Sequence, residues 1–245
     1  QMEAAHEVDY YFMKGASMDD VVGQYRLLTG AVPMLPRYMT GYVQSRERYV
    51  SSHDILSTLS EFRQRQIPID VIVQDWNYWP EGWGYAKMDR RYYPDPKALA
   101  DSVHALDAHL MISVWPNPMY CPQEREFRQA GLMLEHSVYD AFSDEGRDMY
   151  WRHINDEFFS QGFDAWWCDC SEPVDADWKW MPEGYGWDSH KERWERNTQM
   201  LSEVCGAERS QLFSLFHSRG IYEHQRATSD VKRVVNLTRS GYAGQ

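Results

Sequence analysis

Short apolar runs that alternate with stretches of helical periodicity, in a chain of 245 residues with 43% hydrophobic content, predict an α/β fold. Polar and carboxylate residues stand just past each run, as they do at the functional end of parallel strands. Together these observations point to a partial (β/α)8 TIM barrel, about its first five βα units. The length is near the roughly 250 residues of one complete barrel, so one large domain is the starting expectation.

The elements follow in order. Residues 1–32 read as the end of a preceding domain and a linker, with a helical stretch at 19–28, and Pro33 and Pro36 punctuate the join to a barrel portion at 33–245. Residues 38–45 read as the first strand. A helix is predicted over 52–66, where Ile55, Leu56, Leu59 and Phe62 recur at helical spacing. The β-branched run 67–74, broken by Pro68, suits a central parallel strand buried on both faces. Pro96 opens a helix through His104, since proline is favourable in a first turn, and 110–115 is the third strand, closed by Pro116. Helices are predicted at 124–130 and 145–159, with the fourth strand at 163–168. The polar, aromatic stretch 172–190 is too long for a tight connection. Helices at 191–205 and 211–226 precede a fifth strand at 233–238. Gln1 is not a start methionine and no closing helix precedes Gln245, so the chain reads as a segment of a longer protein.

Composition narrows the partners. The formal net charge of −12 argues against nucleic acid, which needs a basic surface. No stretch approaches the roughly 20 apolar residues of a membrane span, and no leader with a basic start and apolar core is visible. A soluble protein of the cytoplasm or periplasm is expected, and its oligomeric state stays open. Cys121, Cys168, Cys170 and Cys205 form neither a disulfide framework nor a zinc spacing, so no structural metal is expected. Cys168 and Cys170 fall on one face of the predicted fourth strand, as small buried hydrophobes. Aromatics reach 15%, many in loop-like segments such as Trp76, Tyr78, Trp79, Trp83 and Tyr85, which fits a cleft that stacks on sugar faces as well as it fits ordinary loop anchoring.

Barrel active sites are assembled at the C-terminal ends of strands. Those ends carry Gln44-Ser45-Arg46, Gln74-Asp75-Trp76, Trp115-Pro116-Asn117, Asp169-Cys170-Ser171-Glu172 and Thr238-Arg239-Ser240. Glycoside cleavage with retention needs a carboxylate that attacks the sugar and a carboxylic acid that protonates the leaving oxygen. Asp169, held by the apolar strand Ala165-Trp166-Trp167-Cys168, is the nucleophile candidate, although a lone strand-end Asp also serves as a helix cap or loop ion pair. Asp75 is suited to accept hydrogen bonds from two hydroxyls. Arg239 can donate a fork of hydrogen bonds, with Glu172 holding it in place, and a structural Arg–Glu pair is the alternative. Among the histidines, His104, His109, His136 and His190 read as surface or satisfied helix residues, and His217, in Phe216-His217-Ser218-Arg219, is the one to watch.

Trp167-Cys168-Asp169-Cys170-Ser171-Glu172-Pro173 resembles the nucleophile segment of glycoside hydrolase family 31. Gly41-Tyr42-Val43-Gln44-Ser45-Arg46, Ile69-Asp70-Val71-Ile72-Val73-Gln74-Asp75-Trp76, Tyr93-Pro94-Asp95-Pro96, Ser113-Val114-Trp115-Pro116-Asn117-Pro118 and Leu237-Thr238-Arg239-Ser240-Gly241-Tyr242 are similar to that family in the same order. The resemblance implies a retaining, exo-acting α-glycosidase without a cofactor. Residues before Pro36 would then be the run-in from an N-terminal β-sandwich. Asp169 would be the nucleophile. Asp75, Trp76, Trp115, Trp167, Arg239 and His217 would contact the terminal sugar of an oligosaccharide or glycoside, with Glu172 supporting Arg239. Asp75-Trp76-Asn77-Tyr78-Trp79 is similar to bacterial α-xylosidase-like members, which favours xylose over glucose or galactose. The family's acid/base aspartate lies beyond the Arg-Ser-Gly stretch, so no residue here is given that role and the segment alone is expected to be inactive. Two rivals are a non-catalytic sugar-binding relative, and a barrel enzyme acting on phosphorylated metabolites, which the lack of a Gly-rich phosphate loop disfavours.

Overall fold

The computed structural model describes the chain except residues 1–3, 135–137, 174–189, 240 and 242–245, and the side chains of 190–194, 196 and 197. The long stretch predicted at 172–190 and the residues His136 and Ser240 therefore lie wholly or mostly outside the described residues.

Five parallel strands pair in sequential order, β1 (Val43–Gln44), β2 (Val71–Gln74), β3 (His109–Val114), β4 (Ala165–Cys168) and β5 (Asn236–Thr238), and form a curled half-barrel. Helices Ser52–Gln64, Pro96–Ala105, Pro122–Gln129, Asp144–Glu157, His190–Cys205 and Phe213–Thr228 fall between the strands, with Met18–Thr29 before the first. Their starts are written in the sequence. Ser51, Asp95 and Ser143 each accept a hydrogen bond from the backbone N–H three residues on, and each such cap contributes about 1 kcal/mol.

Strand alternation separates two apolar layers. Register pairs Val43 with Val71, Val71 with His109, Met111 with Ala165 and Trp167 with Leu237. Odd-numbered residues of every strand thus share the concave face, where Val71, Val73, Met111, Ala165 and Val235 pack with Tyr38, Met39, Val43 and Trp167. Even-numbered residues, among them Ile72, Leu110, Ile112, Val114, Trp166 and Cys168, face the helices in the larger core. Trp166 is fully buried there and its indole donates to Gln225 Oε1 of helix Phe213–Thr228 at 2.8 Å.

Several expected boundaries shift, and one reading of strand faces changes. Residues Arg37–Thr40 form a 3-10 turn rather than the start of a strand, because Tyr38 and Met39 fold under the sheet and plug its foot. The second strand begins at Val71, since Pro68 has no N–H and the Asp70 side chain turns to accept from Tyr42 N at 3.0 Å. Cys170 lies outside any strand, with φ of 49°, and does not share a strand face with Cys168, although both are buried free thiols.

Candidate active site

Asp75, Trp115, Asp169 and Arg239 are each the first residue past the C-terminal end of its strand, β2, β3, β4 and β5 respectively. All four positions are odd, so each continues its strand on the concave side. The β3–β4 ladder extends one step, with Asp169 N–H donating to Val114 O at 3.1 Å. Trp115 follows the same side, its indole donating to the inward Ser113 Oγ at 3.3 Å.

Both carboxylates are held by the next residue's amide. Trp76 N–H donates to Asp75 Oδ1 and Cys170 N–H to Asp169 Oδ1, each at 2.8 Å. The left-handed backbone of Cys170, uncommon for a residue with a side chain, goes with that aim. Ser171 Oγ and Thr238 Oγ1, 2.7 Å apart, tie the segment after Asp169 to β5. Arg239 bridges the site: Nη1 lies 3.5 Å from Asp169 Oδ1, and Nη2 hydrogen-bonds Glu172 Oε1. Glu172 and Arg239 are therefore paired as the sequence suggested.

Burial raises the Asp169 carboxyl above its ordinary value, because the Cys170 amide and Arg239 offset only part of the desolvation and Glu172 adds to it. Asp75 is pushed up to about 6, first by burial, with the charges of Asp169 and Glu47 adding and the Trp76 amide opposing. The two carboxylates therefore feel each other across the mouth.

An aromatic wall stands beside them. Trp83 packs against Trp76, Trp79 and Trp115 at ring separations of 5.7, 5.7 and 5.2 Å. Trp83 pairs with Met119 across two loops, between glycines with φ of +66° and +61°. A Cβ on Gly82 would come within 2.3 Å of Met119 O, so only glycine lets the loops approach this closely. Trp79 and Trp83, read from sequence only as loop aromatics that fit a cleft or ordinary anchoring alike, stand in this wall. Trp167 lines the concave face below Asp169.

His217 is elsewhere. It is fully buried on the helix side of the sheet, its Nδ1 2.9 Å from the Tyr139 hydroxyl and its ring against Tyr150 and Phe213. This corrects the expected sugar contact: Phe213, His217 and Ile221 form the buried stripe of their helix, which faces away from the mouth. Burial lowers the His217 pKa to about 3. A depressed histidine contributes stability that is full above about pH 6.5 and is lost as pH falls through that range towards 3. His217→Ala should cost about 2–5 kcal/mol of stability, from cavity and unpaired Tyr139 hydroxyl, and flatten the pH dependence below 6.5 in thermal melts. An unchanged melt would remove the histidine from the core ledger.

A parallel α/β sheet with carboxylates, an arginine and a tryptophan wall at its C-terminal mouth defines a barrel domain with its functional face at that end. The chain belongs to glycosyl hydrolase family 31: the model of that family's TIM-barrel domain matches residues 32–245. An α-xylosidase of Saccharolobus solfataricus is 38% identical over 248 residues, covering 99% of this chain and 32% of the relative. Alpha-xylosidase A of Aspergillus niger is 26% identical, over 97% of this chain and 35% of its own length. The crystal structure of an α-xylosidase from Xanthomonas citri superposes with a TM-score of 0.78 at 33% identity, covering 94% of this chain and 26% of that one. The chain thus spans about a third of the length of these relatives. Among the described residues no helix is long and apolar enough to cross a membrane.

Proposed function

We propose that the protein containing this chain is a retaining, exo-acting α-glycoside hydrolase that releases a terminal α-linked sugar through a glycosyl ester on Asp169. The observation that carries this reading is the placement of Asp75, Trp115, Asp169 and Arg239, each one residue past a strand end and all on the concave side. The Asp169 carboxylate attacks the anomeric carbon as the bond to the leaving oxygen breaks, and a general acid supplied by another segment protonates that oxygen. Water then cleaves the ester with the opposite inversion, so the product keeps the α configuration. Arg239 holds Asp169 in its ionised, attacking form and offers its remaining N–H groups to a sugar hydroxyl. Asp75 accepts from hydroxyls of the same sugar, and Trp76, Trp115 and Trp167 supply apolar faces.

The substrate reading is an α-xyloside, with glucose or galactose as the alternatives. It is supported by the Asp75-Trp76-Asn77-Tyr78-Trp79 segment and by the xylosidase relatives. The intact protein, incubated with an aryl α-xyloside, should release α-xylose before mutarotation, as read by proton NMR. Release of the β anomer first, or no turnover of any aryl α-glycoside, would sink the reading.

Asp75 must be ionised to accept two hydroxyls, so kcat/KM should rise with pH through about 6. Asp75→Asn should move that acid limb to lower pH and cost about 1.5–3 kcal/mol of transition-state binding. An unchanged limb together with unchanged efficiency would take Asp75 out of the site.

A further inference from the structure

A second cluster of ligating side chains lies at the opposite end of the sheet. His109 opens β3 and Trp115 follows its far end, so six residues, or about 20 Å of strand, separate this cluster from the sugar-binding mouth. His104 comes from the last turn of helix Pro96–Ala105, and Asp164 directly precedes β4. The ligand atoms of His104, His109 and Asp164 all lie within 4.8 Å of one another. The histidines are partly exposed, whereas the Asp164 side chain is only 5% exposed.

We propose that His104, His109 and Asp164 form a binding site for a first-row transition ion, with zinc the best fit. Two imidazoles and one carboxylate are the donor set that such ions prefer, whereas magnesium and calcium prefer oxygen alone. A tetrahedral ion with bonds of about 2.0–2.1 Å spaces its ligands by about 3.3 Å. His109 Nδ1 is already 3.5 Å from Asp164 Oδ2, and that nitrogen is buried with no hydrogen-bond partner among the described residues. His104 Nε2, 2.7 Å from the same oxygen, has to retreat by about half an ångström, which a partly exposed side chain at a helix end allows. The open position goes to water.

The ligands are also held from behind, as metal ligands are. Leu110 N–H donates to Asp164 Oδ2 at 3.0 Å, and the Tyr38 ring stacks on His109 at 3.8 Å. Gly162 passes over His104, with a hypothetical Cβ 3.7 Å from the imidazole Cε1. Lys232 donates to Asp164 Oδ1 at 2.7 Å and is the resident cation that an ion must compete with. Its ammonium also donates to the carbonyls of Gly162 and Phe163, at 2.9 and 3.3 Å, and keeps those partners when it yields the carboxylate.

The intact protein, stripped with a chelator and returned to chelator-free buffer, is titrated with Zn²⁺ by calorimetry and with Co²⁺ by visible absorption. One ion per chain should bind, with the intense d–d bands of tetrahedral Co²⁺. His104→Gln and His109→Phe should each weaken binding by roughly tenfold or more, and Lys232→Met should tighten it. Asp169→Ala should titrate as the native protein does, which separates this site from the mouth. Absence of binding, or isotherms of both histidine variants that overlay the native one, would overturn the proposal and leave the cluster as an ion-pair network only. The Lys232→Met and Co²⁺ readouts decide the matter even if a histidine variant fails to fold.

Discussion

Asp169→Ala in the intact protein should lower kcat/KM on an aryl α-xyloside by about 10⁴-fold or more, the scale seen when an essential catalytic group is removed. The size follows from the proposed role, in which the carboxylate forms the ester and the remaining contacts bind a sugar they cannot open alone. The variant should leave the fold alone. Asp169 sits past the last residue of β4, and the ladder bond to Val114 O uses its backbone, not its side chain. Azide, small enough to occupy the vacated space, should restore turnover and yield the β-glycosyl azide, because it attacks from the face that Asp169 occupied. Ordinary hydrolysis by Asp169→Ala would remove the nucleophile assignment, and rescue giving the α-azide would contradict the face of attack.

The largest effect on stability is expected at Asp164. Its nearly buried carboxylate accepts from Leu110 N–H and Lys232 and touches His104, so it joins β3, β4 and the connection into β5. Asp164→Ala leaves the Lys232 ammonium with two carbonyl acceptors but no counter-charge, and the Leu110 N–H without its acceptor, and should cost about 3–5 kcal/mol. That corresponds to a fall in melting temperature on the order of 10 °C for a domain of this size. Burial alone would raise the Asp164 carboxyl, but His109, Lys232 and the Leu110 amide outweigh it and hold it well below the usual carboxylate range. A depressed carboxyl contributes stability that is full above the unfolded value, near pH 4, and is lost as pH falls from there towards the folded one. The gap between native and variant melts, both in chelator, should therefore be constant above about pH 4 and close on the acid side. A gap that persists undiminished in acid would show that packing, not charge, holds the sheet's foot.

Much of this was legible before any coordinates. The apolar runs ended where the strands end, to within a few residues, so Asp75, Asp169 and Arg239 could be named as strand-end residues, and a hydrophobic run reports directly where burial stops. The first strand misled because Tyr38 and Met39 are apolar for a different reason: they fill the foot of the sheet from a 3-10 turn. His217 misled because a helix that resembles one passing near the core need not face the mouth: its buried stripe runs through Phe213 and Ile221, four residues to either side, on the helix side of the sheet. The cluster at His104, His109 and Asp164 had no local signature at all. Its members are 60 residues apart in the chain at the His104–Asp164 contact, and only the parallel register of β3 with β4 brings them together.

That register separates two kinds of inheritance on each strand. Substituting a residue of odd number at a strand end alters the mouth, and substituting its even neighbour changes how the sheet grips its helices. A gene can therefore vary Asp75 while its even-numbered neighbour Gln74 stays constant, so single substitutions at such a strand end can alter the mouth and leave the helix-facing layer untouched. Insertion or deletion of one residue within a strand has no such freedom. It would carry a helix-facing side chain such as Cys168 into the mouth and turn Asp169 into the core, so diversity within this architecture is expected to accumulate by substitution in the strands and by length change only in the loops.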